Sequence, residues 1–241
     1  MATAFFIDGA FFLKRFPKVY TDHKRTDPKN ASVVANTLVK MCQDHLSYKV
    51  DKKEFKNELY RIFFYDCPPL GKKVHYPVSK RCLDFGKSEL FTFKQQLFDE
   101  LKRKRKVALR LGRLQDSEKW TLKSGVLKEL LNKEKKFEDL TDEDFEYSMR
   151  QKQIDMKIAI DIVSVSYKKQ VSQIILIAGD ADFVPVAKLA RREGIDFILD
   201  PMYKPVSPDL FEHIDGLQSK CPKPKLPDTM QKKNKISYFK K

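Results

Sequence analysis

Apolar residues enter the chain as a short, nearly unbroken run, Thr3 to Ile7, which reads as a buried strand stopped by Asp8-Gly9. After an intervening loop, Val33, Val34, Leu38 and Met41 recur at helical spacing and predict a helix from about Pro28 to Leu46. Leu59–Tyr65 is rich in aromatics and ends at Asp66-Cys67-Pro68-Pro69-Leu70-Gly71, a second strand with a hard turn signal. Leu90, Phe93, Leu97, Phe98 and Leu101 predict an amphipathic helix over Ser88–Arg105, and Val107 to Leu114 alternates as a strand does. Asp116 to Asp144 is polar and irregular, an insertion carrying Trp120 and one short helix. A helix is then expected from roughly Asp142 to Tyr167. The strand Gln173–Ile177, a helix Phe183–Arg192 and the strand Asp196–Leu199 follow.

Strands that alternate with helices indicate an α/β fold with a parallel sheet covered on both faces. In such open sheets, ligands bind outside the carboxyl ends of the strands. That rule draws attention to Asp8, which ends the first strand, and to Asp180 and Asp182 in the sequence AGDADF after Ile177. Taken singly, each is also a good turn or helix-capping residue.

A third source of acid is the helical segment QKQIDMKIAID, residues 151–161. Asp155 and Asp161 are six residues apart and so about 120° apart around a helix axis. Asp155 can face a cleft while Asp161 lies at its edge or makes a structural contact. Several carboxylates gathered in one place repel one another unless positive charge neutralises them. Hard divalent cations such as Mg²⁺ or Mn²⁺ do so through oxygen ligands, and they also activate water and stabilise charge on a phosphoryl group.

Composition supports this direction. The 241 residues carry a formal charge of +15 and 41% hydrophobic residues, enough for one sizeable domain with a tail and suited to a polyanionic partner. The four cysteines form no CxxC pair, so neither a zinc knuckle nor a disulfide scaffold is indicated. Asp8 interrupts the apolar start, so neither a signal peptide nor a membrane span fits; a soluble cytoplasmic protein is expected. No GxGxxG follows the first strand, which argues against a dinucleotide enzyme.

Three blocks, FFIDGA (Phe5–Ala10), KQIDMKIAIDI (Lys152–Ile162) and IAGDADFVPVAKLARREG (Ile177–Gly194), together resemble the NYN domain family, in particular its LabA-like (DUF88) branch within the PIN-like nucleases. The resemblance implies a PIN-like, Rossmann-like three-layer domain over residues 1–200. A variable insertion interrupts it around 115–142, and 201–241 form a basic Pro/Lys-rich extension. It implies an acidic pocket for Mg²⁺ or Mn²⁺ in which Asp8, Asp155, Asp180 and Asp182 are both catalytic and metal-binding, with Asp161 in support. The implied activity is metal-dependent hydrolysis of RNA phosphodiester bonds, endonucleolytic in preference to exonucleolytic. Where many relatives continue FIDGAN, this chain has Phe11 after Ala10. A catalytically weak or inactive RNA-binding protein therefore stays open, as does a phosphodiesterase acting on DNA or another phosphorylated substrate.

Lys102, Arg103, Lys104, Arg105 and Lys106 form a basic block followed by Arg110 and Arg113, suited to backbone phosphates and equally to a solvated helix end. Arg81, Lys87 and Lys94 could widen that patch. Residues 220–241 hold eight lysines against one acid, Asp228, and read as a flexible electrostatic arm in which Tyr238 and Phe239 could stack on bases. RNA is the expected partner, DNA and a homodimer remain open, and no membrane association is expected.

Overall fold

A computed structural model describes residues 2–21, 25–50 and 53–224 of the chain. In chain order the elements begin with β1 (Ala2–Asp8), α1 (Gly9–Val19), α2 (Ala31–Leu46), β2 (Ser47–Val50), β3 (Lys53–Lys56) and β4 (Glu58–Asp66). Next come β5 (Lys73–His75), β6 (Cys82–Asp84), α3 (Glu89–Lys102), β7 (Val107–Leu111), β8 (Arg113–Leu122), α4 (Ser124–Leu131) and β9 (Phe145–Lys152). The chain continues through α5 (Ile154–Tyr167), β10 (Gln173–Ile177), α6 (Val184–Arg192), β11 (Asp196–Asp200), α7 (Pro208–Glu212) and β12 (Gly216–Leu217). The described residues divide into two compact units, one within 2–66, 96–111 and 153–224, the other within 67–95 and 112–152.

The first unit is built on a six-stranded sheet in the order β12-β11-β10-β1-β4-β7, every neighbouring pair parallel. The central strands β1 and β10 are buried almost end to end, as strands covered on both faces must be, so they read as apolar runs without alternation. On one face Phe6 stacks on Phe63 with ring centroids 5.1 Å apart, beside Tyr65 and beneath α5. On the other, Phe12 of α1 meets Phe64 edge-on and Phe5 meets His45 of α2. This is a three-layer α/β architecture, as the alternation of elements predicts.

The sheet's amino edge is tied by uncharged and charge-assisted hydrogen bonds. Thr3 Oγ1 and Asn57 Nδ2 both donate to Gln173 Oε1, at 2.9 and 3.2 Å, and Gln173 Nε2 donates to Asp196 at 2.7 Å.

The second unit contains two antiparallel hairpins, β5–β6 and β8–β9, with Trp120 opposite Tyr147 and Leu122 opposite Phe145.

Four local expectations are corrected. The helix after Asp8-Gly9 begins at once, as α1, because Phe12, Phe16 and Val19 share its buried face. The segment before Ile154 is strand β9, not helix, since Phe145, Tyr147 and Met149 alternate at period two against β8. Residues 113–122 are likewise a long strand and not irregular chain. The strand expected to reach Leu114 stops at Leu111, before Gly112. Lys225 to Lys241, including Tyr238 and Phe239, lie outside the described residues.

Candidate active site

The carboxyl edge of the sheet collects acids from several elements of the first unit. Asp8 leaves β1 with extended backbone (φ −69°, ψ 107°) and caps α1 by accepting the Phe11 amide at 3.1 Å. Gly9 follows because the turn passes hard against β4: a Cβ there would stand 2.6 Å from the Tyr65 carbonyl oxygen and 2.8 Å from the Phe64 ring. Asp66, fully buried, ends β4. Asp155 lies in the first turn of α5, which starts after Gln153 turns the backbone into the left-handed region at φ 73°. Asp180 follows β10 and accepts the Asp182 amide at 3.2 Å, capping the 3₁₀ turn Ala181–Phe183 that leads into α6.

Asp8, Asp155 and Asp180 thus all sit at helical N-termini, whose amide donors and dipoles favour negative charge. Repulsion opposes that gain. Burial pushes the Asp8 carboxyl up to about 6 against the lowering effect of the Phe11 amide, and the charges of Asp155 and Asp66 add to the rise. Asp155 is raised too, first by desolvation and then by Asp180 and Asp182. The acids therefore form an electrostatic series, Asp8 with Asp66 and Asp155, and Asp155 with Asp180 and Asp182. Among the described residues, however, no three His, Cys, Asp or Glu side chains are grouped closely enough to hold a metal ion. The donor chemistry, hard carboxylate oxygens destabilised by one another, suits Mg²⁺ or Mn²⁺.

Asp161 plays a different part. It accepts the Tyr65 hydroxyl at 2.8 Å and pairs with Arg110 Nε at 3.3 Å, while Arg110 also lies over the Phe63 ring. Burial and the Asp161 carboxylate both push the Tyr65 phenol up, which keeps it protonated and donating.

Arg110 pairs in register with Tyr65, itself level with Asp8, so it shares the acidic edge. Lys102 to Lys106 instead precede the amino end of β7 at Val107, which lies about 10 Å below Arg110 along the strand at ~3.3 Å per residue. Several of that block are engaged locally: Lys102 with Asp99, Arg103 with Glu100, Lys104 with Asn36, and Lys106 with the Leu59 carbonyl. Arg113 belongs to the second unit, at the start of β8.

Phe11 packs on the AGDADF turn. A Cβ on Gly179 would fall 2.5 Å from its ring and 3.0 Å from the Lys204 side chain, so the glycine is a steric requirement. Lys204 Nζ donates to the Gly179 carbonyl at 3.1 Å and lies 5.8 Å from the Phe11 ring centroid. Sequence reasoning passed over Lys204, which has no motif around it, and used Asp66 only as a turn signal. The strand-end rule that singled out Asp8 applies equally to Asp66.

Comparison with known proteins bears on what this edge does. The sequence profile of the family described as NYN domain matches residues 85–209, more than half of the chain. The chain belongs to the NYN domain family. The NYN match contains Asp155, Asp161, Asp180 and Asp182, while Asp8 and Asp66 precede it. NYN membership supports a nuclease or phosphodiesterase class of function, and with it nucleic-acid interaction in general. No curated protein matches the chain. A solved structure of a protein of unknown function from Vibrio parahaemolyticus is similar over 90% of both chains, at 13% identity and a TM-score of 0.38, too low to carry an argument. Among the described residues no helix is long and apolar enough to cross a membrane.

Proposed function

We propose that this protein is a divalent-metal-dependent ribonuclease of the LabA-like branch of the PIN-like nucleases, its domain spanning residues 1–200 and extended by the basic stretch 201–241. The observation that carries the reading is the coupled series of carboxylates at the sheet's carboxyl edge. Asp8 is raised to about 6 by burial and by its acidic neighbours, a cost that a structural cap alone does not require. Asp8, Asp155 and Asp180 would hold one or two ions, with Asp182 completing the ligation or orienting the attacking water. When bound, Mg²⁺ or Mn²⁺ would neutralise the acids, lower the pKa of a ligated water and offset charge on the phosphoryl oxygens. Asp161 supports the edge from behind through Tyr65 and Arg110. Arg110, near the acids, would meet backbone phosphates; Arg113 and the block Lys102–Lys106 would add sequence-independent attraction. Cys42, Cys67, Cys82 and Cys221 carry thiols and not disulfides, which suits a cytoplasmic setting.

A second reading is favoured by Phe11. Its ring and Lys204 pack on the turn that carries Asp180, which suits a domain that binds RNA and cleaves slowly. One assay separates the two: labelled RNA and DNA incubated with Mg²⁺ or Mn²⁺ and intact protein, Asp8→Asn or Asp180→Asn. Metal-dependent cleavage of RNA, lost in both variants, supports the nuclease. RNA binding without cleavage by intact protein supports the second reading, and normal cleavage by either variant removes the assigned acids.

A further inference from the structure

The second unit holds a feature that the acidic edge does not use. Tyr76, Phe85, Trp120 and Tyr147 remain half-exposed and touch in series, with centroids 5.3 Å apart for Tyr76–Trp120, 5.2 Å for Trp120–Tyr147 and 5.4 Å for Phe85–Tyr147. They line a cleft of about 460 Å³, within the range of small-ligand pockets. A run of half-exposed rings rimmed by polar groups is a candidate interaction site.

The polar handles of two of these rings are already committed. Trp120 Nε1 donates to the His75 carbonyl at 2.9 Å, and the Tyr147 hydroxyl donates to Asp116 at 2.6 Å. What Trp120 and Tyr147 can still offer a ligand is therefore π-surface. The rim carries the cations Arg81 and Lys123 and the acids Asp142 and Glu143, with Arg81 5.7 Å from the Tyr76 ring centroid. Asp142, also on the rim, is occupied by Ser79, Val78 and Arg81, which hold its carboxyl below the usual range against its partial burial.

We infer that this cleft stacks an unpaired base of a single-stranded polynucleotide, with Arg81 and Lys123 placed for the flanking phosphates. Flat rings accept any base face, and base–aromatic stacking is sequence-tolerant because every base has one. A cationic ligand, the other common guest of an aromatic cluster, would meet Arg81 already seated on Tyr76. The inference rests on the nucleic-acid reading above and gives the second unit a part in binding.

Trp120 is the chain's single tryptophan, so its emission reports on this cleft alone. Full-length protein in chelator, where hydrolysis is blocked, is titrated with a short single-stranded RNA while fluorescence anisotropy of a labelled strand measures binding independently. Trp120 emission is expected to quench saturably with the single strand and not with a blunt duplex of the same sequence. Phe85→Leu is expected to weaken single-strand affinity by roughly 5- to 100-fold, as loss of one stacking face does. Lys123→Gln, at an exposed position whose side chain does not cap α4, should weaken it several-fold and flatten its salt dependence. Unchanged Trp120 emission with RNA demonstrably bound would overturn the stacking site and leave the nucleic-acid reading standing. Absence of any binding by anisotropy would overturn both. A nucleoside monophosphate that quenches as tightly as the strand would overturn the assignment to a polynucleotide.

Discussion

Asp8 and Asp200 each end a strand of the same sheet, yet their surroundings are opposites. Asp200 is fully buried and well supplied: His45 Nε2 lies 2.8 Å away, the Met202 amide donates at 2.7 Å and the Lys220 amide at 3.4 Å. Asp8 accepts the Phe11 amide at 3.1 Å, is favoured also by the Ala10 amide, and otherwise faces the charges of Asp155 and Asp66. Asp200 is matched by an imidazole and two amides, whereas Asp8 has amides alone and acidic neighbours, as the proposed metal site would require. The β11 end of the edge is thus a fastening, and the β1–β10 end is stored repulsion.

Substitution should separate the two ends by sign. Asp200→Ala leaves His45 buried without its partner and is expected to destabilise by about 3–5 kcal/mol in urea unfolding. Asp8→Asn should do the reverse. Below about pH 4 the Asp8 carboxyl is largely protonated in both states. Between 4 and 6 the folded protein retains a proton that the unfolded chain has released, and above 6 both are ionised, so the folded state bears the full penalty. Stability of the intact protein, in chelator, should therefore fall as pH rises from 4 through 6. Asp8→Asn, which can still cap α1, should gain ~1–3 kcal/mol above pH 6 and nothing near pH 4. A variant less stable than the parent at pH 8 would erase the contrast with Asp200.

Gly179→Ala sharpens the comparison at the turn. Its methyl group would press on the Phe11 ring, for an expected loss of ~1–3 kcal/mol. Phe11→Ala should relieve that clash, so a double-mutant cycle in thermal unfolding should return a clear coupling; additivity would deny the contact. The smallest effect belongs to Asp161→Asn. Asn still accepts the Tyr65 hydroxyl, and the half-exposed Arg110 pair is screened, so the loss should stay below ~1 kcal/mol. Cleavage should suffer far less than in Asp8→Asn.

The strands of the parallel sheet were readable because β1 and β10 must be apolar on both faces, and Ala4–Ile7 and Ile174–Ile177 say so in composition alone. The acids at their ends followed from a topological rule and three sequence blocks. Other features were hidden for physical reasons. Helix α1 was masked by Pro17 and by a glycine start, although Pro17 falls near its last turn, where few bonds remain to lose. Strand β9 is half polar because its outer face meets solvent, and it ran without a break in composition into the helix beyond Gln153. The Phe11–Gly179–Lys204 contact joins positions that only the fold brings together. So does the aromatic cleft, assembled from two hairpins distant in sequence.

The central claim is that the repulsion at the carboxyl edge exists to be relieved by a divalent cation. Calorimetric titration of Mn²⁺ into chelator-stripped protein at pH 7 tests it without recourse to catalysis. Intact protein should bind one or two ions saturably, and Asp8→Asn, Asp155→Asn and Asp180→Asn should each weaken binding at least tenfold while remaining folded. Absence of saturable Mn²⁺ binding by the intact protein, or binding by all three variants as tight as that of the intact protein, would contradict it.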